Sequence, residues 1–144
     1  MADEKSTTTP TAAELAAVLA YDPETFEVFD TQWGRDVNDI YFQERPVEAC
    51  DPATFVLLEE NWEKDSQCVY RNGIKAPDAD PASFVILNFW FGKDKNHVYS
   101  NDPTIIEGAD PATFKVHEVC VLCATDKNGC YKYDERVDCD SINY

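Results

Sequence analysis

Basic residues are scarce in this chain: 12 lysines and arginines stand against 28 aspartates and glutamates, a formal net charge of −16. A field of that sign argues against direct binding of nucleic acid or of an anionic membrane, both of which call for clustered positive charge. Glycine is also short, at five residues, and no phosphate-cradling glycine loop can be built from them. The two histidines, His97 and His117, have no Ser or Cys beside them in a nucleophile motif. No apolar run approaches the roughly 20 residues that span a bilayer. The Asp94-Lys95-Asn96 run lacks the Asp-x-Asp-x-Asp-Gly ladder and distal Glu of a calcium loop.

What the chain does have is one motif in four copies: Tyr21-Asp-Pro-Glu-Thr-Phe26, Cys50-Asp-Pro-Ala-Thr-Phe55, Ala79-Asp-Pro-Ala-Ser-Phe84 and Ala109-Asp-Pro-Ala-Thr-Phe114. The aspartates Asp22, Asp51, Asp80 and Asp110 are 29, 29 and 30 residues apart. A fixed period of this size marks a repeat architecture, in which one small unit stacks on its own copies. A second aspartate follows each Phe: Asp36, Asp65, Asp94 and Asp126. A tyrosine comes five residues later in every copy: Tyr41, Tyr70, Tyr99 and Tyr131. Three residues before the second aspartate stand Trp33, Trp62, Phe91 and, in the fourth copy, Cys123.

Each piece has a physical reading. Asp-Pro is a helix start, with Asp as N-cap and Pro at the first helical position, and the space allows one turn of α or 3₁₀. The runs after Phe55 and Phe84 are short, apolar and rich in strand formers. Lys93 to Tyr99 reads as a turn between strands, and Asn72-Gly73 as another. The expected fold is mostly all-β: tandem β-hairpin repeats with short capping turns, their Phe, Trp and Tyr rings forming one shared ladder. Residues 1–10 are expected to be a disordered tail, 11–20 one N-terminal helix, and 21–144 a single repeat domain. Its copies run 22–50, 51–79, 80–109 and 110–139, followed by a truncated fifth cap at 140–144.

Copy three, Ala79-Asp-Pro-Ala-Ser-Phe-Val-Ile-Leu87 and Phe91-Gly-Lys-Asp-Lys-Asn-His-Val-Tyr99, resembles the bacterial DKNYY family. Proteins of that family look like tandem copies of these two segments. The resemblance covers roughly residues 21–144. It departs at Asp36-Val-Asn-Asp-Ile-Tyr41, at Asp65-Ser-Gln-Cys-Val-Tyr70 and in the cysteine-rich fourth copy. The resemblance implies a fold and carries no activity, catalytic residue or cofactor.

The six cysteines admit three readings. Cys120, Cys123, Cys130 and Cys139 could supply four thiolates to zinc. Register favours small buried thiols instead, since Cys123 fills the Trp/Phe slot, Cys130 the Ile/Val slot, and Cys50 and Cys139 the Ala slot. Disulfides are the third reading. The early charges are mixed and Glu14 interrupts the apolar run, which argues against an export signal and for a cytoplasmic protein.

A residue repeated four times serves architecture, which leaves the non-recurring surface for biology. The expectation is a non-enzymatic, acidic protein-binding module without cofactor or metal, and with no direct nucleic-acid or membrane contact. Its most concrete form is an inhibitor of a basic protein partner, such as a toxin immunity protein or a phage anti-defence inhibitor. Copy one is the most acidic, with eight acids against two bases over residues 22–50. Glu24, Glu27, Asp30, Asp39, Glu44 and Glu48 are its expected contact face. The alternative is a structural subunit that self-assembles or decorates a larger particle; an enzyme built on the Cys/His-bearing fourth copy is a third reading.

Overall fold

The Asp-Pro-x-Thr segment nucleates each copy. In copies one and four the amides of Phe26 and Phe114 donate to the carbonyls of Asp22 and Asp110 at 3.0 and 2.9 Å. In copy two the same positions form a 3₁₀ turn, Pro52–Thr54. The single capping turn expected from Asp-Pro is therefore present. The computed structural model describes residues 22–142. The expected tail and helix over 1–20 lie outside the described residues, as does the aromatic end of the fifth cap at Tyr144.

Each cap leads into an antiparallel meander. The first sheet holds β1 (Glu27–Asp30), β2 (Trp33–Arg35), β3 (Ile40–Phe42) and β4 (Arg45–Pro46) in chain order. The second holds β5 (Val56–Leu57), β6 (Trp62–Lys64), β7 (Val69–Arg71) and β8 (Ile74–Lys75). The third holds β9 (Val85–Ile86), β10 (Phe91–Lys93) and β11 (Val98–Ser100), with a single bridge from Tyr99 to Ile105 in place of a fourth strand. The fourth holds β12 (Lys115–Val116), β13 (Cys123–Asp126), β14 (Gly129–Lys132) and β15 (Glu135–Val137). The unit is thus a small sheet rather than a lone hairpin. The Asn72-Gly73 turn shows why: both residues take positive φ, 50° and 78°, and return the chain for one more strand.

The chain divides into two compact units, Met1–Pro52 and Ala53–Tyr144. In the second, the core lies between successive copies. Phe84 of copy three packs 4.8 Å from Trp62 of copy two and 6.1 Å from its own Tyr99. Phe114 repeats this, 5.3 Å from Phe91 and 5.5 Å from its own Tyr131. Trp62, Val69, Ala76, Phe84 and Tyr99 form one buried cluster, and Phe91, Val98, Ile106, Phe114, Ala124 and Tyr131 the next. Basic side chains tie the copies further: Lys64 Nζ donates to the Pro81 carbonyl at 3.3 Å and Lys93 Nζ to that of Pro111 at 2.7 Å. The fourth copy has Thr125 at this position.

Its last interface is different. Cys123 and Cys130 pack on Ile142, with Cys120 and Val137 beside them. The short 3₁₀ turn Cys139–Ser141, capped by the Asp138 carboxylate, delivers Ile142. Here the expectation of buried thiols is corrected. Cys120 pairs with Cys123 and Cys130 with Cys139 as disulfides, and no described cysteine is free. Four zinc-binding thiolates are therefore not on offer. Register predicted burial of Cys123 and Cys130 well, but Cys50 and Cys139 are exposed. A compact disulfide serves where, among the described residues, Ile142 takes the covering place that a Phe has in the other copies.

The recurring carboxylates are wired alike. Asp94 Oδ2 accepts from the Asp80 amide at 2.7 Å, and its Oδ1 from the Asn96 and His97 amides at 2.8 and 2.7 Å. The Tyr99 hydroxyl reaches it at 3.5 Å. Asp36 accepts from the Asp22, Asn38 and Asp39 amides and the Tyr41 hydroxyl. Asp126 accepts from the Asp110, Asn128 and Gly129 amides and from Tyr131. Asp65 takes the Gln67 and Cys68 amides and the Tyr70 hydroxyl. A second strut runs back from the cap. Thr25, Ser83 and Thr113 donate to the carboxylates of Asp22, Asp80 and Asp110 and accept from the amides of Val37, Lys95 and Lys127, each at 3.0 Å.

Two outcomes follow from this wiring. Asp94→Ala leaves the amides of Asp80, Asn96 and His97 without their carboxylate and should cost about 2–4 kcal/mol in denaturant unfolding, against about 1 kcal/mol for Tyr99→Phe, whose hydroxyl donates to the Pro77 carbonyl at 2.8 Å. Burial pushes the Asp36 carboxyl up, but the amides of Asp22, Asp39 and Asn38 and the Tyr41 hydroxyl outweigh it and hold it below its usual range. The Ser83 and Thr113 hydroxyls lower Asp80 and Asp110. Carboxyls depressed in the fold contribute stability above about pH 4, lost as pH falls through their folded values. Thermal unfolding measured from pH 6 down to pH 2 should show that loss.

Candidate partner-binding surface

Once the wired residues are set aside, the side chains left for recognition are those that break the repeat. In the first unit the six expected contact acids separate into two kinds. Glu24, Glu27, Asp30, Glu44 and Glu48 are exposed. Glu27 and Asp30 lie on β1, Glu24 in the capping turn, and Glu44 in the β3–β4 turn at φ 67°. Asp39 is half-buried, and its carboxylate accepts from the amides of Ile40, Glu48 and Ala49 at 2.7–2.9 Å. It braces the backbone that presents Glu48. A shallow, largely apolar depression lies on this unit, lined by Phe26, Val28, Trp33 and Tyr41 with Gln43 and Glu44 at its rim. Of the six acids, only Glu44 borders it.

The second unit holds residues that were not foreseen. Glu63 occupies the slot of Gly34, Gly92 and Ala124. It is 1% exposed, and its carboxylate accepts from the amides of Gly73 and Asn72 at 2.9 and 3.2 Å. Burial pushes its carboxyl up to about 8, against the pull of those two amides and the Arg71 charge. Arg71 occupies the slot of Phe42, Ser100 and Lys132. Its Nε and Nη1 donate to the carbonyls of Glu60 and Asn101, both at 3.0 Å. Its Nη2 is buried without a hydrogen-bond partner among the described residues. The guanidinium lies 4.8 Å from the Phe89 centroid and 5.9 Å from that of Trp62.

Beyond Phe89 the rings continue. Phe89 meets Trp90 edge-on at 5.0 Å, and Trp90 meets Tyr133 edge-on at 5.7 Å. Tyr133 donates to Asn101 Oδ1, and the Asn101 amide donates to the Phe89 carbonyl. Neither slot recurs: Phe89-Trp90 replaces Thr31-Gln32, Glu60-Asn61 and Val121-Leu122, and Tyr133 replaces Gln43, Asn72 and Asn101. Tyr133 has φ 55°, a left-handed conformation that suits Asn and costs an aromatic residue about 1 kcal/mol. Alignment of the four copies would have marked all five positions, because each departs from its slot in size or charge.

The histidines stay outside these groups. His97 is half-buried beside Tyr99, with Nδ1 3.4 Å from the hydroxyl. His117 follows β12, its amide bonded to the Cys123 carbonyl. No helix among the described residues is long and apolar enough to cross a membrane.

Because Glu63 is raised in the fold, its contribution is present below about pH 4 and is lost as pH climbs through about 8. Melting temperature should therefore decline between pH 5 and pH 9, and Glu63→Gln should flatten that decline. The disulfides are checked by alkylating the unfolded, unreduced protein, whose mass should not change. Among known proteins, no curated protein and no solved structure matches the chain. The sequence pattern of the DKNYY family matches residues 11–135, and the chain belongs to the DKNYY family.

Proposed function

We propose that this protein is a non-enzymatic, acidic binding module that captures a basic protein partner and inhibits it by occlusion, as a toxin immunity protein or an anti-defence inhibitor does. The observation that supports this reading is the division of its carboxylates. Those that recur are held in backbone hydrogen bonds, whereas Glu24, Glu27, Asp30, Glu44 and Glu48 remain exposed on the most acidic copy. Free carboxylates in a net field of −16 steer a basic partner and raise its association rate. Self-assembly through sheet edges gains less support. Of the eight outer strands among the described residues, β4, β5, β8, β9 and β12 are two residues long and β1, β11 and β15 only three or four, with Pro46 on one and Lys75 on another, the devices that blunt edge pairing. The disulfides favour an oxidising compartment over the cytoplasm as its place of action.

The test is capture of partners on the immobilised protein at low and high salt. The complex should form at about 50 mM salt and dissolve by about 500 mM, where screening extends over only a few ångströms. Replacing Glu24, Glu27 and Glu44 together by Gln should slow association about tenfold, read by stopped-flow or surface binding. Capture indifferent to salt and to these changes rejects the electrostatic reading.

A further inference from the structure

The rings of Phe89, Trp90 and Tyr133 have no counterpart at the same slots of the other copies; Trp90 packs on the core between copies three and four and meets Tyr133 across that junction. Phe89 is 40% exposed; Trp90 and Tyr133 are half-buried. Phe89 already carries one guanidinium, that of Arg71, at 4.8 Å from its centroid. Two exposed acids adjoin these rings in the chain: Asp102 follows Asn101, which accepts from the Tyr133 hydroxyl, and Asp134 follows Tyr133 itself. Burial, and after it the charges of Asp102 and Asp134, raise the Tyr133 phenol. Aromatic faces flanked by carboxylates attract cations twice over, through the ring quadrupole and through charge. Trp, Tyr and neighbouring buried Arg are also the residue types that dominate protein-binding hot spots.

We propose that Phe89, Trp90 and Tyr133 form a docking platform for an arginine or lysine side chain of a basic protein partner, with Asp102 and Asp134 as its countercharges. The proposal rests on the reading of the protein as an acidic binder and names the surface that gives it specificity. The acids of copy one speed encounter, while the platform slows release. A guanidinium is preferred to an ammonium, because its flat, weakly hydrated face stacks on a ring as Arg71 does on Phe89.

The test uses the full chain with nona-arginine, nona-lysine and nona-glutamate as probes. Binding is read by titration calorimetry and by the three tryptophan indole signals in NMR, with tryptophans substituted singly to assign them. Nona-arginine should bind more tightly than nona-lysine and shift the Trp90 indole ahead of the others. Phe89→Leu, which keeps apolar bulk, and the paired change Asp102→Asn with Asp134→Asn should each weaken nona-arginine about three- to fivefold. NMR dispersion confirms that each variant is folded. Nona-arginine binding of unchanged strength in both variants, with the Trp90 signal still, overturns the platform and leaves the acidic-binder reading standing. No binding of either cationic probe at low salt overturns both. Binding of nona-glutamate instead overturns the platform by pointing to the unsatisfied Arg71 Nη2.

Discussion

One carboxylate per copy organises the fold. Asp36, Asp65, Asp94 and Asp126 each gather amides from the turn that follows and a phenolic hydroxyl five residues on, and three of them also take the amide of the cap aspartate before them. A buried carboxylate with that many donors is anchored more firmly than a short strand could be by its own ladder. Strands of two to four residues would be marginal as isolated pairs. The carboxylate ties cap to turn across 14 or 16 residues and so closes each copy as a loop. The Thr or Ser of the cap, bonded to the residue just past the same aspartate, braces that closure from the other side.

With each copy closed locally, its rings can be given over to neighbours. Phe84 and Phe114 each touch a tyrosine of their own copy and an aromatic of the copy before. Stability in such an array is a sum over nearest-neighbour interfaces. The Phe and Tyr of this ladder recur in register, whereas the fourth copy departs from pattern. At the fourth copy the Trp/Phe slot becomes Cys123, the Lys that would reach onward becomes Thr125, and Cys130 is bonded to Cys139 on the closing turn. Ile142 supplies the apolar cover that a following Phe supplies elsewhere.

Much of this was legible in the chain because tandem copies act as internal controls. Period, cap, turn and ring ladder all follow from residues that recur at Asp22, Phe26, Asp36 and Tyr41 and their equivalents. The fourth strand was not legible, since residues 43–46 and 72–75 share turn geometry but little sequence. Nor was the pairing of cysteines, because a slot predicts burial and not the partner across it. A basic residue precedes the turn aspartate in three copies, as Arg35, Lys64 and Lys93, and the role of the two lysines depends on a carbonyl in the next copy. Glu63, Arg71, Phe89, Trp90 and Tyr133 are single exceptions to a repeating rule, and only contacts between copies bring them together.

The sharing of rings between copies bears on how the chain matures as it is synthesised. Trp62 has no aromatic cover from its neighbour until Phe84 has emerged from the ribosome, and Phe91 waits in the same way for Phe114. Order in the second unit must therefore advance with a lag of one copy behind translation. The bond between Cys130 and Cys139 joins the last strands to the closing turn, so it can close only after residue 139 has been made, later than the ring contacts of the preceding copies.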